Sequence, residues 1–133
     1  LRLGDTLGWK EAASKPLCLM TPEMHNRTIV DGAFAAAGVT VTPVMETNSI
    51  LTLAISVAEG QVCSVVPGAV LGAVRAWHEL EALTLVEPNL ETPVGFMTVR
   101  AGRQSRSLEA ALALARDPGW LRHAARHSGA LQD

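Results

Sequence analysis

The chain has 133 residues, with 11 lysines and arginines against 13 aspartates and glutamates and a formal net charge of −2. That length suits one compact domain, and the balance of charge gives no basic footprint for nucleic acid and no polybasic membrane patch. Hydrophobic residues at 48%, lifted to roughly 56% by the 11 glycines against the usual ~45–50%, exclude a disordered tail and suit strands buried on both faces of a parallel sheet.

Residues 1–15 are weakly patterned and are expected to form a lead-in. Pro16-Leu17-Cys18-Leu19-Met20 has the length and flanks of a buried strand. Thr21 can cap the following helix, Pro22 fits its first turn and Glu23 complements the positive end of its dipole. Ile29, Val30, Ala33, Phe34 and Ala37 form its apolar stripe, and Gly38 ends it. The unit then repeats. Val39 to Met45 is β-branched and reads as a second strand, Glu46-Thr47-Asn48-Ser49 offers caps, and Ile50, Leu53, Ala54 and Val57 mark a helix closed by Gly60. Val62 to Val66 reads as a third strand stopped by Pro67-Gly68, followed by a helix from Ala69 to about Trp77 and a short strand from Leu83 to Val86. Val94 to Val99 reads as another strand and Ser105 to Ala115 as a helix broken by Pro118-Gly119. The tail from Trp120, with Arg122, His123, Arg126 and His127, forms a last short helix. Strands and helices alternating over short connections predict right-handed βαβ crossovers, hence an α/β fold with a parallel sheet.

The longest uncharged stretch, Gln61 to Val74, is broken by Pro67 and falls short of the ~18–20 apolar residues a bilayer demands. No basic-then-apolar leader opens the chain, so a cytoplasmic location is expected. Cys18 and Cys63 lie in apolar runs and are expected to be buried free thiols. Because the first residue is Leu1, the chain is expected to be part of something longer.

Ligands of open parallel sheets bind beyond the carboxyl ends of the strands. Two such ends lead into helices here, at Thr21 and at Thr47-Asn48-Ser49, with unpaired N–H groups and small polar side chains suited to an anion. Each residue alone could be only a cap; their convergence makes them the candidate site. His123 and His127 have a metal-ligand spacing but no accompanying motif, and they sit in a basic tail, so no metal is expected. His25 and His78 are isolated. Cys63, mid-strand, reads as an inert thiol, and Glu79 and Glu81 lack anything to tune them for acid–base work. No GxGxxG, P-loop or GxSxG occurs. The chain is therefore not expected to be an enzyme, and no cofactor is expected.

From Pro16 to Pro67 the sequence resembles the effector-binding domain of LysR-type transcriptional regulators. The resemblance rests on Pro16-Leu17-Cys18-Leu19 leading into His25-Asn26-Arg27, on Asp31-Gly32-Ala33-Phe34-Ala35-Ala36-Ala37-Gly38, on Glu46-Thr47-Asn48-Ser49, and on Ser56 to Pro67. That last run is similar to the family's V-A-x-G-x-G-(four residues)-P pattern, departing from it at Val62, where a second glycine is usual. The run from Thr92 to Ala115 also resembles the family's closing strand and helix.

The resemblance implies a truncated three-layer parallel-sheet lobe similar to type 2 periplasmic binding proteins, with a small-molecule effector in a cleft between two lobes. It implies a division into lead-in 1–15, second lobe 16–87 and a segment 88–133 returning to the first lobe. It places Thr21, Thr47, Asn48 and Ser49 against the effector, and implies homo-oligomerisation through the 21–37 helix. DNA would be bound only through an N-terminal winged helix-turn-helix that these residues do not include, and no membrane partner is implied. The alternatives are an extracytoplasmic solute-binding protein of the same fold, and a small α/β enzyme using Cys63 or a histidine.

Overall fold

The computed structural model describes residues 2–74, 76–92, 95, 97–99 and 105–125. Strand β1 (Arg2–Gly8) runs into a single turn of helix, α1 (Trp9–Ala12), and then to β2 (Cys18–Met20), α2 (His25–Ala36), β3 (Met45–Thr47) and α3 (Ile50–Ala58). A turn of helix, α4 (Gly68–Leu71), precedes β4 (Glu81–Val86), and the described chain closes with α5 (Arg106–Arg116) and α6 (Pro118–Ala125). Among the described residues all the pairings are parallel: β2 with β3, β1 with β4, and an isolated bridge from Leu17 to Cys63 on the other side of β2. The expected α/β class with parallel strands is what these residues form.

The core is built on β2, whose residues are all buried. Strand side chains alternate between faces, so Leu17 and Leu19 point to one side and Cys18 and Met20 to the other. The first pair joins Trp9, Val30, Ala33 and Phe34, with α2 on that face; the second pair joins Leu53 of α3. Trp9 meets Phe34 edge to face, ring centroids 5.1 Å apart. This contact draws α1, and with it β1, onto the same core.

Both βα units end as their glycines require. Gly38 and Gly60 have φ of 76° and 77°, a left-handed backbone that a side chain would strain. At Gly38 the helix closes with Gly38 N–H donating to Ala35 O and Val39 N–H to Phe34 O.

Several expectations are corrected. Residues 39–43 keep the alternating burial of a strand, with Val39 and Val41 packed on the core, but no ladder forms until Met45. The Val39 amide is spent on the helix end and Pro43 has no N–H to give, so the segment is extended without a partner. The third strand shrinks to the bridge at Cys63, and this thiol is exposed rather than buried. Cys18 is buried, and desolvation pushes its thiol pKa up. The helix expected from Ala69 is only the single turn of α4. Residues 1–15, expected as a lead-in, carry β1 and α1. Pro118 does not merely break α5: it opens α6, with Asp117 Oδ1 accepting the Trp120 N–H at 2.7 Å. Of the strand expected over Val94–Val99, Val94 and Phe96 lie outside the described residues and Met97–Val99 have no regular structure; Arg126 and His127 also lie outside.

Candidate functional site

In a parallel pair both strands finish at the same edge. β2 ends at Met20 and β3 at Thr47, and these two residues are directly opposite in the register. The next link is the Thr21 N–H, which donates to Thr47 O at 3.1 Å. The sheet thus brings Thr21 and the 47–49 segment together, as expected from sequence, at the rim where α2 and α3 begin.

Each polar group on the rim has a defined state. Thr47 Oγ1 accepts the Ser49 N–H at 3.1 Å, and Ser49 Oγ accepts the Thr52 N–H at 3.2 Å, capping α3. Both hydroxyls act as acceptors in these bonds, which leave their O–H protons unused. Asn48 is exposed between them. Thr21 differs from expectation: it does not cap α2, which begins at His25 after Met24. Thr21 instead opens a turn closed by Met24 N–H donating to Thr21 O at 2.9 Å. Its hydroxyl donates to Glu23 Oε1 at 2.8 Å. The Glu23 carboxyl lies below the usual carboxylate range, held there first by a backbone N–H and then by the Thr21 hydroxyl. Met24 makes no side-chain cap, so α2 presents first-turn N–H groups at the same edge.

Beneath the rim lies a residue whose burial the sequence reading missed. Arg27, in the first turn of α2, is buried. Its Nη1 donates to Met20 O at 2.8 Å and to Glu46 Oε1, and its Nε to both oxygens of Asp31, at 2.9 and 3.0 Å. The hydrogen bond to Glu46 raises its pKa above the ordinary arginine value, against the opposing effect of burial. The signal available in the sequence was Asp31 four residues on, a helical ion-pair spacing; the link to Glu46 is tertiary.

A cavity of about 290 Å³ lies elsewhere, lined by Gly8, Trp9, Lys10, Ala36, Ala37 and Glu87. It sits at the far end of α2, and a 12-residue helix separates the two places by about 18 Å. The other residues weighed from sequence do not join the rim into a catalytic or metal cluster. His25, His78, Cys63, Glu79 and Glu81 are exposed, and among the described residues no three His, Cys, Asp or Glu side chains gather as metal ligands. Among those residues no helix is long and apolar enough to cross a membrane.

The family model of the LysR substrate binding domain matches residues 1–119. No curated protein and no solved structure matches the chain. Nearly the whole chain is covered; the domain of that family has a periplasmic-binding-protein-like fold, and the described residues form a mixed α/β structure with parallel strands. The chain therefore belongs to the LysR substrate-binding-domain family and supplies the effector-binding region of a LysR-type regulator.

Proposed function

We propose that the rim formed by Thr21, Thr47, Asn48 and Ser49 is one wall of an inter-lobe cleft that takes a small anionic metabolite. The observation that carries this reading is the Thr21–Thr47 link at the shared carboxyl edge of β2 and β3. Hydroxyl protons at Thr47 and Ser49, the Asn48 amide and the starts of α2 and α3 are donors that suit a carboxylate. A helix end contributes about 0.3–1 kcal/mol to such a group, and ~2 where water is excluded. Glu23 stands beside Thr21 and disfavours anion placement there, so the anionic group belongs at the 47–49 side.

In this reading α2, β2 with β3, and α3 are the layers of a three-layer lobe, supported by the apolar clusters on both faces of β2. The chain acts without catalysis, in the cytoplasm, as a sensing and dimerisation region whose copies pair through the alanine-rich α2. DNA is contacted only by a winged helix-turn-helix elsewhere in the parent regulator. A ligand that favours one relative pose of the lobes shifts the population of DNA-reading states by its differential affinity.

Amide NMR on the 133-residue chain tests the site. Small mono- and dicarboxylates at millimolar concentration should move the Thr21, Thr47, Asn48 and Ser49 signals, while chloride at equal ionic strength should not. Shifts confined to other residues, or none with any carboxylate, would contradict the assignment. Micromolar affinity would contradict the single-wall description.

A further inference from the structure

We infer that Arg27 is the positioning residue of this rim, holding the carboxyl ends of β2 and β3 from α2 in the register that sets Thr21 against Thr47. The purpose of the rim rests on the effector reading above; the clamp itself is geometric. Arg27 is 8% exposed, and a guanidinium leaves water only where fixed acceptors replace it. Two of those acceptors, Met20 O and Glu46 Oε1, belong to neighbouring strands, and the residues that follow them are Thr21 and Thr47. The guanidinium therefore bridges the strands one residue below the polar rim. Asp31 pairs with the same head group from four residues on in its own helix. With this much of its fork engaged from below, Arg27 supports the ligand-facing groups rather than joining them. Lysine, a point donor, reproduces part of this but cannot serve Asp31 from one nitrogen while a second nitrogen holds Met20 O and Glu46.

Amide hydrogen exchange on the 133-residue chain, with no ligand added, tests the role. In Arg27→Met, the Thr21 and Ser49 amides should exchange about tenfold faster or more, while amides of the β1–β4 ladder change by less than about twofold. Arg27→Lys should recover part of the protection, and Asp31→Asn should leave Thr21 within about twofold of the parent. Glu46, half-exposed, can be changed without endangering the fold, and Glu46→Gln should speed Thr21 exchange about threefold. If Arg27→Met does not fold, Glu46→Gln decides. Equal acceleration in both ladders would reduce Arg27 to general stabilisation, and unchanged Thr21 exchange would remove the positioning role. Because no ligand is present, a silent carboxylate titration beside altered exchange here would overturn the effector reading and leave the clamp standing.

Discussion

The half of the molecule around β2 and the segment from Arg106 onward carry the same kind of sequence pattern and meet opposite fates. β2 is buried throughout, and α2 and α3 each bury residues against it. α5 has a clean apolar stripe at Leu108, Ala111, Leu112 and Ala115, yet neither α5 nor α6 buries a residue, and Leu114 and Leu121 are about half exposed. Amphipathic spacing states which face would be buried; burial itself needs an opposing surface. Near β2 that surface is a strand with helices on both sides.

The difference is open to attack, and the largest effect should come from the core. Phe34→Ala should lose about 3–5 kcal/mol in chemical denaturation, whereas Leu121→Ala should stay within about 0.5 kcal/mol. A comparable loss at Leu121 would show that α6 packs on a core after all. Caps come next. Ser49 and Ser105 make the same bond, each accepting an N–H three residues on at 3.2 Å. Ser49→Ala should cost about 1 kcal/mol of global stability, because α3 is part of the cooperative core. Ser105→Ala should lower helicity by circular dichroism and leave the unfolding midpoint unmoved; equal shifts for the two would erase the distinction.

A subtler effect is expected at Ser64, whose buried hydroxyl has no hydrogen-bond partner among the described residues. Removing an unsatisfied buried group relieves its desolvation cost, so Ser64→Ala should be neutral or stabilising by up to about 1 kcal/mol. A clear loss in urea melts would mean the hydroxyl has a partner. The smallest effect is electrostatic. Glu23 titrates below the usual carboxylate range, so its contribution is complete above the unfolded-state pKa and is lost as pH falls through the folded one. Carboxyl-carbon NMR should show Thr21→Val moving that titration part of the way back up, since the backbone N–H remains. An unmoved titration would separate Thr21 from Glu23.

Much of the stretch from Pro16 to Gly60 was legible because local chemistry and tertiary packing agree there. The strand at 18–20 and the glycine stops at 38 and 60 stand where expected, the cap of α3 falls to Ser49 among the three residues offered, and Thr21 meets 47–49. Other features were not legible. The β-branched run at 39–43 was read as part of a strand, but a strand also requires a neighbour to hydrogen-bond, and among the described residues none pairs there before Met45. Cys63 lies in an apolar run yet is exposed, since nothing in the described residues covers that side of the bridge. The weak pattern of 1–15 concealed β1, which owes its pairing to Glu81–Val86, far away in sequence.

By itself the sequence determined the α/β class, the order of the βα units and the polar residues at two strand ends, because caps, left-handed glycines and apolar periodicity act over a few neighbouring residues. Tertiary structure alone decided which extended segments became strands, which apolar stripes were covered, and that Arg27 is drawn under the rim between Met20 and Glu46. Those outcomes depend on surfaces and hydrogen-bond partners supplied by remote parts of the chain, and no local pattern records whether such a partner arrives.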